Sequence, residues 1–158
     1  MADLTREEVI KIIATASDQA GARLRGVNLS GLDLSKLDFR GADLSRANLS
    51  NANLYRANLD KANLESANLT NADLRHASIR YANLKSANFR DADLDDANLM
   101  RSNARDANFG GANLSAVGLH ETEMFGANVR EAAMPNGQLY TEEIDGYAEF
   151  GARNLGKT

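Results

Sequence analysis

Two histidines, His76 and His120, and an acidic group, Asp93, Asp95 and Asp96, are the residues of this 158-residue chain best suited to chemistry. A histidine serves as a general base when a nucleophile and an orienting acid stand beside it. Three carboxylates hold calcium when their oxygens converge on one point. The chain has no cysteine, which excludes disulfides, thiolate nucleophiles and Cys/His zinc sets. It also has no glycine-rich phosphate loop. Whether the histidines and aspartates can cooperate therefore depends on the elements that carry them.

Those elements follow from a repeat. Every fifth residue from Leu24 to Leu139 is apolar, 24 positions in all, and only Ala104 among them is small. Two residues earlier a small residue usually stands, with Ala unbroken from Ala42 to Ala97. Asn or Asp immediately precedes the apolar residue in 18 of the 24 repeats. The two residues that follow are mixed and polar, as in Ser45-Arg46, Asp60-Lys61 and Glu65-Ser66. A period of five fits neither a helix at 3.6 nor a flat strand at 2.0. It fits a chain that turns a corner every five residues and points two side chains inward on each side. Four sides close a coil of about 20 residues, and about six coils stacked at the parallel-strand spacing give a rod ~30 Å long. Alanine packs near the crowded corner, leucine fills the centre, and the polar pair turns in solvent.

Ala47-Asn48-Leu49-Ser50-Asn51 resembles the A(D/N)LXX motif of the pentapeptide repeat family, and the likeness extends over residues 22–139. The chain's many long and regular repeats resemble those of cyanobacterial members. The resemblance implies an all-β solenoid, a right-handed quadrilateral β-helix; the handedness comes from the family and not from the period. The motif lapses at Ser102-Asn103-Ala104, Val117-Gly118, Thr122-Glu123 and Ala132-Ala133, so the later coils are expected to be less regular.

The ends break the pattern, and three segments are expected: 1–21 as a capping α-helix, 22–139 as the β-helix and 140–158 as a cap or tail. Thr5-Arg6-Glu7-Glu8 reads as a capping box, with Leu4 and Val9 placed for a hydrophobic staple. Val9, Ile13 and Ala20, with Ile10 and Ala14 beside them, form an apolar stripe that Gly21 should end. Val27, Leu32 and Leu37 replace the usual alanine in the first coil and should meet this helix, protecting the open edge. After the turn signal Pro135-Asn136-Gly137, Tyr140, Ile144, Tyr147 and Phe150 offer apolar groups in an acidic tail, for capping or for a homodimer contact. Residues 151–158 are expected to fray.

A 20-residue coil allows each face to be read in turn. One carries Asn28, Asn48, Asn68, Asn88, Asn108 and Asn128, a ladder that can hydrogen-bond along the rod, with Phe89 and Phe109 stacked beneath it. A second sets Asp33, Asp73, Asp93, Asp95 and Asp96 against Lys36, Arg56 and Arg75. Asp95 and Asp96 should project from a corner, which argues against a calcium site. His76 and His120 fall at outward turns on different faces, with Arg56 and Asp96 one coil either side of His76, an ion-pair arrangement and not a triad. A core of Leu49, Leu64, Leu84 and their equivalents leaves no substrate pocket. No enzyme activity and no cofactor or metal are expected.

The resemblance brings one sharper function, since some members of the family mimic B-DNA and bind DNA gyrase. Such mimicry needs a dense negative rod, because DNA carries one charge per ~1.7 Å of axis. Here the 22–139 region is neutral, and the overall charge of −4 comes from the ends. The sequence also lacks the loop insertions that mark many quinolone-resistance members. The expectation is a cytoplasmic scaffold that binds an unknown protein, with neither nucleic acid nor membrane as partner. A gyrase- or topoisomerase-binding DNA mimic is the alternative.

Overall fold

The computed structural model describes residues 2–16 and 21–135. Its backbone is a stack in which each bridging residue pairs in parallel with the residue twenty positions on, from Arg23 with Asp43 to Asn113 with Ala133. Each side of the coil exchanges hydrogen bonds with the next: Leu44 N–H donates to Asn63 O, and Asn63 N–H donates to Ala42 O, both at 2.8 Å. The pairing continues through Gly118, Glu123 and Ala133. The lapses of the motif therefore leave the backbone register intact, and they show instead in side chains such as Leu119 and Met124, which are only half-buried.

The inward positions make one continuous core. Leu49, Leu64, Leu84, Phe89 and Phe109 are all fully buried, and the alanines between them are nearly so. The rings of Phe89 and Phe109 stack with centroids 4.9 Å apart and planes 6° from parallel. Asparagine and aspartate precede the core residue for a local reason. The side-chain oxygen accepts the N–H two residues on, as Asn48 does from Ser50 at 3.1 Å, and so closes each corner. The amide of Asn then has a donor left for the neighbouring coil. Asn48 donates to Asn28, Asn68 to Asn48, Asn108 to Asn88 and Asn128 to Asn108, at 2.8–3.3 Å.

That ladder is not continuous, in contrast to the sequence reading. Asn88 donates to the Thr70 hydroxyl at 3.0 Å, and Thr70 passes its own proton to Asn68 at 2.6 Å. A hydroxyl standing beside the column intercepts the bond and relays it.

Corners exact a conformational cost. Every fifth residue from Gly21 to Glu131 has a positive φ, between 42° and 75°, and seventeen of these are not glycine. Left-handed backbone is unfavourable for L-residues by roughly 1 kcal/mol each, so the ladder bonds and the core must outweigh it at each turn.

At the N-terminal end α1 spans Arg6–Thr15. Thr5 and Glu8 form the reciprocal capping box, with Thr5 N–H donating to Glu8 Oε2 at 2.7 Å. Val9 is fully buried, while Leu4, Ile12, Ile13, Val27, Leu32 and Leu37 pack half-buried against the core. Ile10 and Ala14 are exposed and so lie off the expected stripe. The helix also stops at Thr15, well before Gly21. The Thr15 hydroxyl donates to Lys11 O and Ile12 O, which satisfies carbonyls the next turn would have used. Ala20 lies outside the described residues, as do Tyr140, Ile144, Tyr147 and Phe150.

The edge of the first coil is covered by polar bonds as well as apolar packing. Asp3 exchanges two bonds with Asn28, N–H to O at 2.7 Å and carboxylate from N–H at 2.8 Å. The Arg6 guanidinium donates to the carbonyls of Asp33 and Ser35. Backbone groups that could template another strand are thereby taken up.

Candidate interaction surface

The chemistry-bearing residues stand on the corners, where side chains leave the coil. Between the Asp33 and Asp38 faces, Tyr55 is framed by cations. The Arg56 and Arg75 guanidinium carbons lie 5.2 and 5.7 Å from its ring centre, and the His76 ring meets it edge-on at 5.4 Å. His76 Nδ1 is 2.7 Å from Asp96 Oδ2, the ion-pair arrangement read from the sequence. Arg75 bonds to Asp73 at 2.7 Å and approaches Asp93 at 3.6 Å. Two stacked aspartates have no amide to share, and the guanidinium takes that place. The same bond holds the Asp73 carboxyl below the usual carboxylate range.

The next corner, between the Asp38 and Asp43 faces, carries a second set. Arg101 lies over the Tyr81 ring, donates to its hydroxyl at 3.1 Å and pairs with Glu121 at 2.7 Å. His120 is 3.0 Å from Glu121 as well. Along the same corner Asp60 is largely buried and bonds to Arg80 Nη2 at 2.5 Å and to Ser78 Oγ at 2.6 Å. Burial pushes the Asp60 carboxyl up, but the bonds from Arg80 and Ser78 outweigh it and hold the group below its ordinary value. A cleft of about 730 Å³ is lined by Ile13 and Ala16 of the N-terminal segment and by Asp38, Arg40, Asp60, Arg80 and Tyr81. Its carboxylates are already committed, Asp38 to Arg40 at 2.7 Å and Asp60 to Arg80.

His76 and His120 thus stand on different corners, each against a carboxylate and neither near a nucleophile–base pair. Among the described residues no group of three His, Cys, Asp or Glu side chains could hold a metal ion, and Asp93, Asp95 and Asp96 do not converge. Nor is any described helix long and apolar enough to cross a membrane. Every buried side-chain nitrogen or oxygen among the described residues has a partner. Thr5, Glu8, Val9, Ile13, Asn48, Asn68 and Asn88 serve the cap, the core and the ladder as described above. Tyr55 and Tyr81 were the residues the sequence reading passed over, although an aromatic at a turn with arginine one coil away was a visible signal.

The Pentapeptide repeats family profile matches this chain in eight copies, over residues 22–60, 57–96, 82–120 and 92–130. The chain belongs to the pentapeptide repeat family. Its backbone is accordingly that family's right-handed quadrilateral β-helix, and members serve as structural or interaction modules. The pentapeptide repeat protein Rfr23 from the cyanobacterium Cyanothece 51142 is 31% identical over 76% of this chain and 94% of its own, with a TM-score of 0.68. The pentapeptide repeat protein alr5209 from Nostoc Pcc 7120 is 31% identical over 63% of this chain and 81% of its own, with a TM-score of 0.54. QnrB1, a plasmid-mediated fluoroquinolone resistance protein, is 26% identical over 69% of this chain and 61% of its own. Its TM-score is 0.33. No curated protein matches the chain.

Proposed function

We propose that this protein is a non-enzymatic scaffold in the cytoplasm that binds another protein through the corners of a rod of six coils, with 1–21 as its N-terminal cap. The observation that carries this reading is the pair of tyrosine–arginine clusters, at Tyr55 and Tyr81, held on a backbone whose every coil is bonded to the next. Tyrosine and arginine are among the side chains most enriched where protein interfaces are energetically dense, and a rigid support reduces the ordering cost of binding. The tail with Tyr140, Ile144, Tyr147 and Phe150 is a further contact on this reading. A purified-bait pull-down from source cells tests it, with the Tyr55→Ala/Tyr81→Ala variant run beside the wild type. The expected result is a protein retained by the wild type and lost by the variant; equal retention would exclude these corners. The neutral repeat region speaks against a gyrase-binding DNA mimic, and inhibition of gyrase supercoiling by the purified protein would reverse that preference.

A further inference from the structure

We infer that the corner joining the Asp33 and Asp38 faces is the contact surface of an antiparallel homodimer, in which Arg56 of each copy meets Asp95 and Asp96 of the other. The inference rests on the reading of the rod as an interaction module and names its partner as a second copy of this chain.

The order of charges along this corner carries it. Descending one coil at a time, one column reads Lys36, Arg56, His76, Asp96, Ala116, and the column beside it reads Ser35, Tyr55, Arg75, Asp95, Ser115. The sign reverses at the level of His76. Arg56 and Asp96 stand two coils apart, about 10 Å at the parallel-strand spacing, and Asp96 contacts the intervening His76 rather than Arg56. A two-fold axis at the His76 level, perpendicular to the rod, reverses the order in the second copy. It sets Arg56 opposite Asp95 and Asp96, and the contact is made twice because such an interface is isologous.

Of the groups concerned, Asp96 already contacts His76 through Oδ2 and offers its other oxygen, while the rest make no ion pair among the described residues. Lys36 and Asp95 make no ion pair, and Arg56 rests only on the Tyr55 ring. Arg75, which would face its own copy near the axis, is already neutralised by Asp73 and Asp93. Tyr55 stands half-buried beside the axis, where an aromatic anchor is most effective. The neighbouring corner shows no comparable order, since its Arg80 and Arg101 are each held by a carboxylate of an adjacent coil.

The rod as a whole has the same polarity. Residues 22–61 carry seven basic and four acidic side chains, and residues 62–135 carry seven basic and ten acidic ones. The neutral total is therefore the sum of a positive upper part and a negative lower part. Antiparallel rods place each part against its opposite.

Sedimentation equilibrium on the full chain tests the pairing. The wild type should dimerise at low salt and dissociate as salt screens the contact. Arg56→Glu and Asp96→Arg should each weaken the dimer about tenfold or more, and the double variant should regain most of the loss. Both positions are exposed corners that already accept arginine or glutamate elsewhere in the rod, and circular dichroism checks that each variant is folded. A dimer indifferent to the single reversals, as contact through the tail would give, overturns the inference. So does a monomer at low salt, which leaves the binding of a different protein to be decided by the pull-down.

Discussion

Ser78 fills a position that asparagine or aspartate holds in most repeats, and it is too short to accept the Arg80 amide. Asp60, one coil earlier, takes over: its Oδ1 accepts from Arg80 N–H at 3.0 Å and from Ser78 Oγ at 2.6 Å, and its Oδ2 binds the Arg80 guanidinium. Asp60→Ala should therefore cost about 2 kcal/mol, the usual scale for hydrogen bonds to a charged group. Ser78→Asn restores an acceptor for the Arg80 amide, so Asp60→Ala should cost about 1 kcal/mol less in that background. Urea unfolding of the four proteins measures the coupling, and equal costs in both backgrounds would show that Asp60 is no substitute. The pH dependence has a definite sign. The folded state holds the Asp60 carboxyl below its unfolded value, so its stabilisation is present above about pH 4 and is lost as pH falls through the lower, folded pKa. Asp60→Asn should flatten that acid limb. None of this was legible in the sequence, where Asp60 reads as one more polar turn residue and nothing singles out Ser78.

Corners and cap show how far local pattern extends. The period of five fixes which residues face inward because every contact it controls recurs at a spacing of twenty, and the bridges keep that spacing throughout. The left-handed corner residues are less visible, since lysine, arginine, asparagine and serine occupy positions where propensity alone would ask for glycine. Stacked coils override the preference. The end of α1 was missed for a similar reason, because a hydroxyl at Thr15 closes the helix before any glycine is reached. Two glycines at such corners separate conformational cost from crowding. Gly31 has φ +70° with open space where a Cβ would go, whereas a Cβ on Gly21, at φ +60°, would lie 2.1 Å from the Gly41 carbonyl oxygen. Gly31→Ala should cost about 1 kcal/mol, and Gly21→Ala about 3 kcal/mol, as backbone must move to admit the methyl. Thermal or chemical melts compare the two, and similar losses would mean that the close approach at Gly21 relaxes without cost.

Across the whole molecule, each coil touches only its neighbours, so stability is transmitted along one dimension. Charge polarity and rigidity both follow from that arrangement, because side chains four or five coils apart are held in fixed order without a tertiary contact between them. A defect should then matter by its place in the stack as much as by its chemistry. Leu64 and Val129 are both core residues, one central and one near the C-terminal end of the described rod. Leu64→Asp puts an unpaired charge in the middle of a dry interior and should abolish cooperative folding. Val129→Asp introduces the same charge where only the terminal coils depend on it. Glu65→Ala, on the exposed corner beside Leu64, should change stability by less than about 0.5 kcal/mol. Amide hydrogen exchange distinguishes the cases. Protection should vanish on both sides of position 64 in the first variant, and only in the last coils in the second. Loss of protection throughout the rod in both would mean that the coils fold as one indivisible unit, and equal melting of Leu64→Asp and Glu65→Ala would contradict the inward register itself.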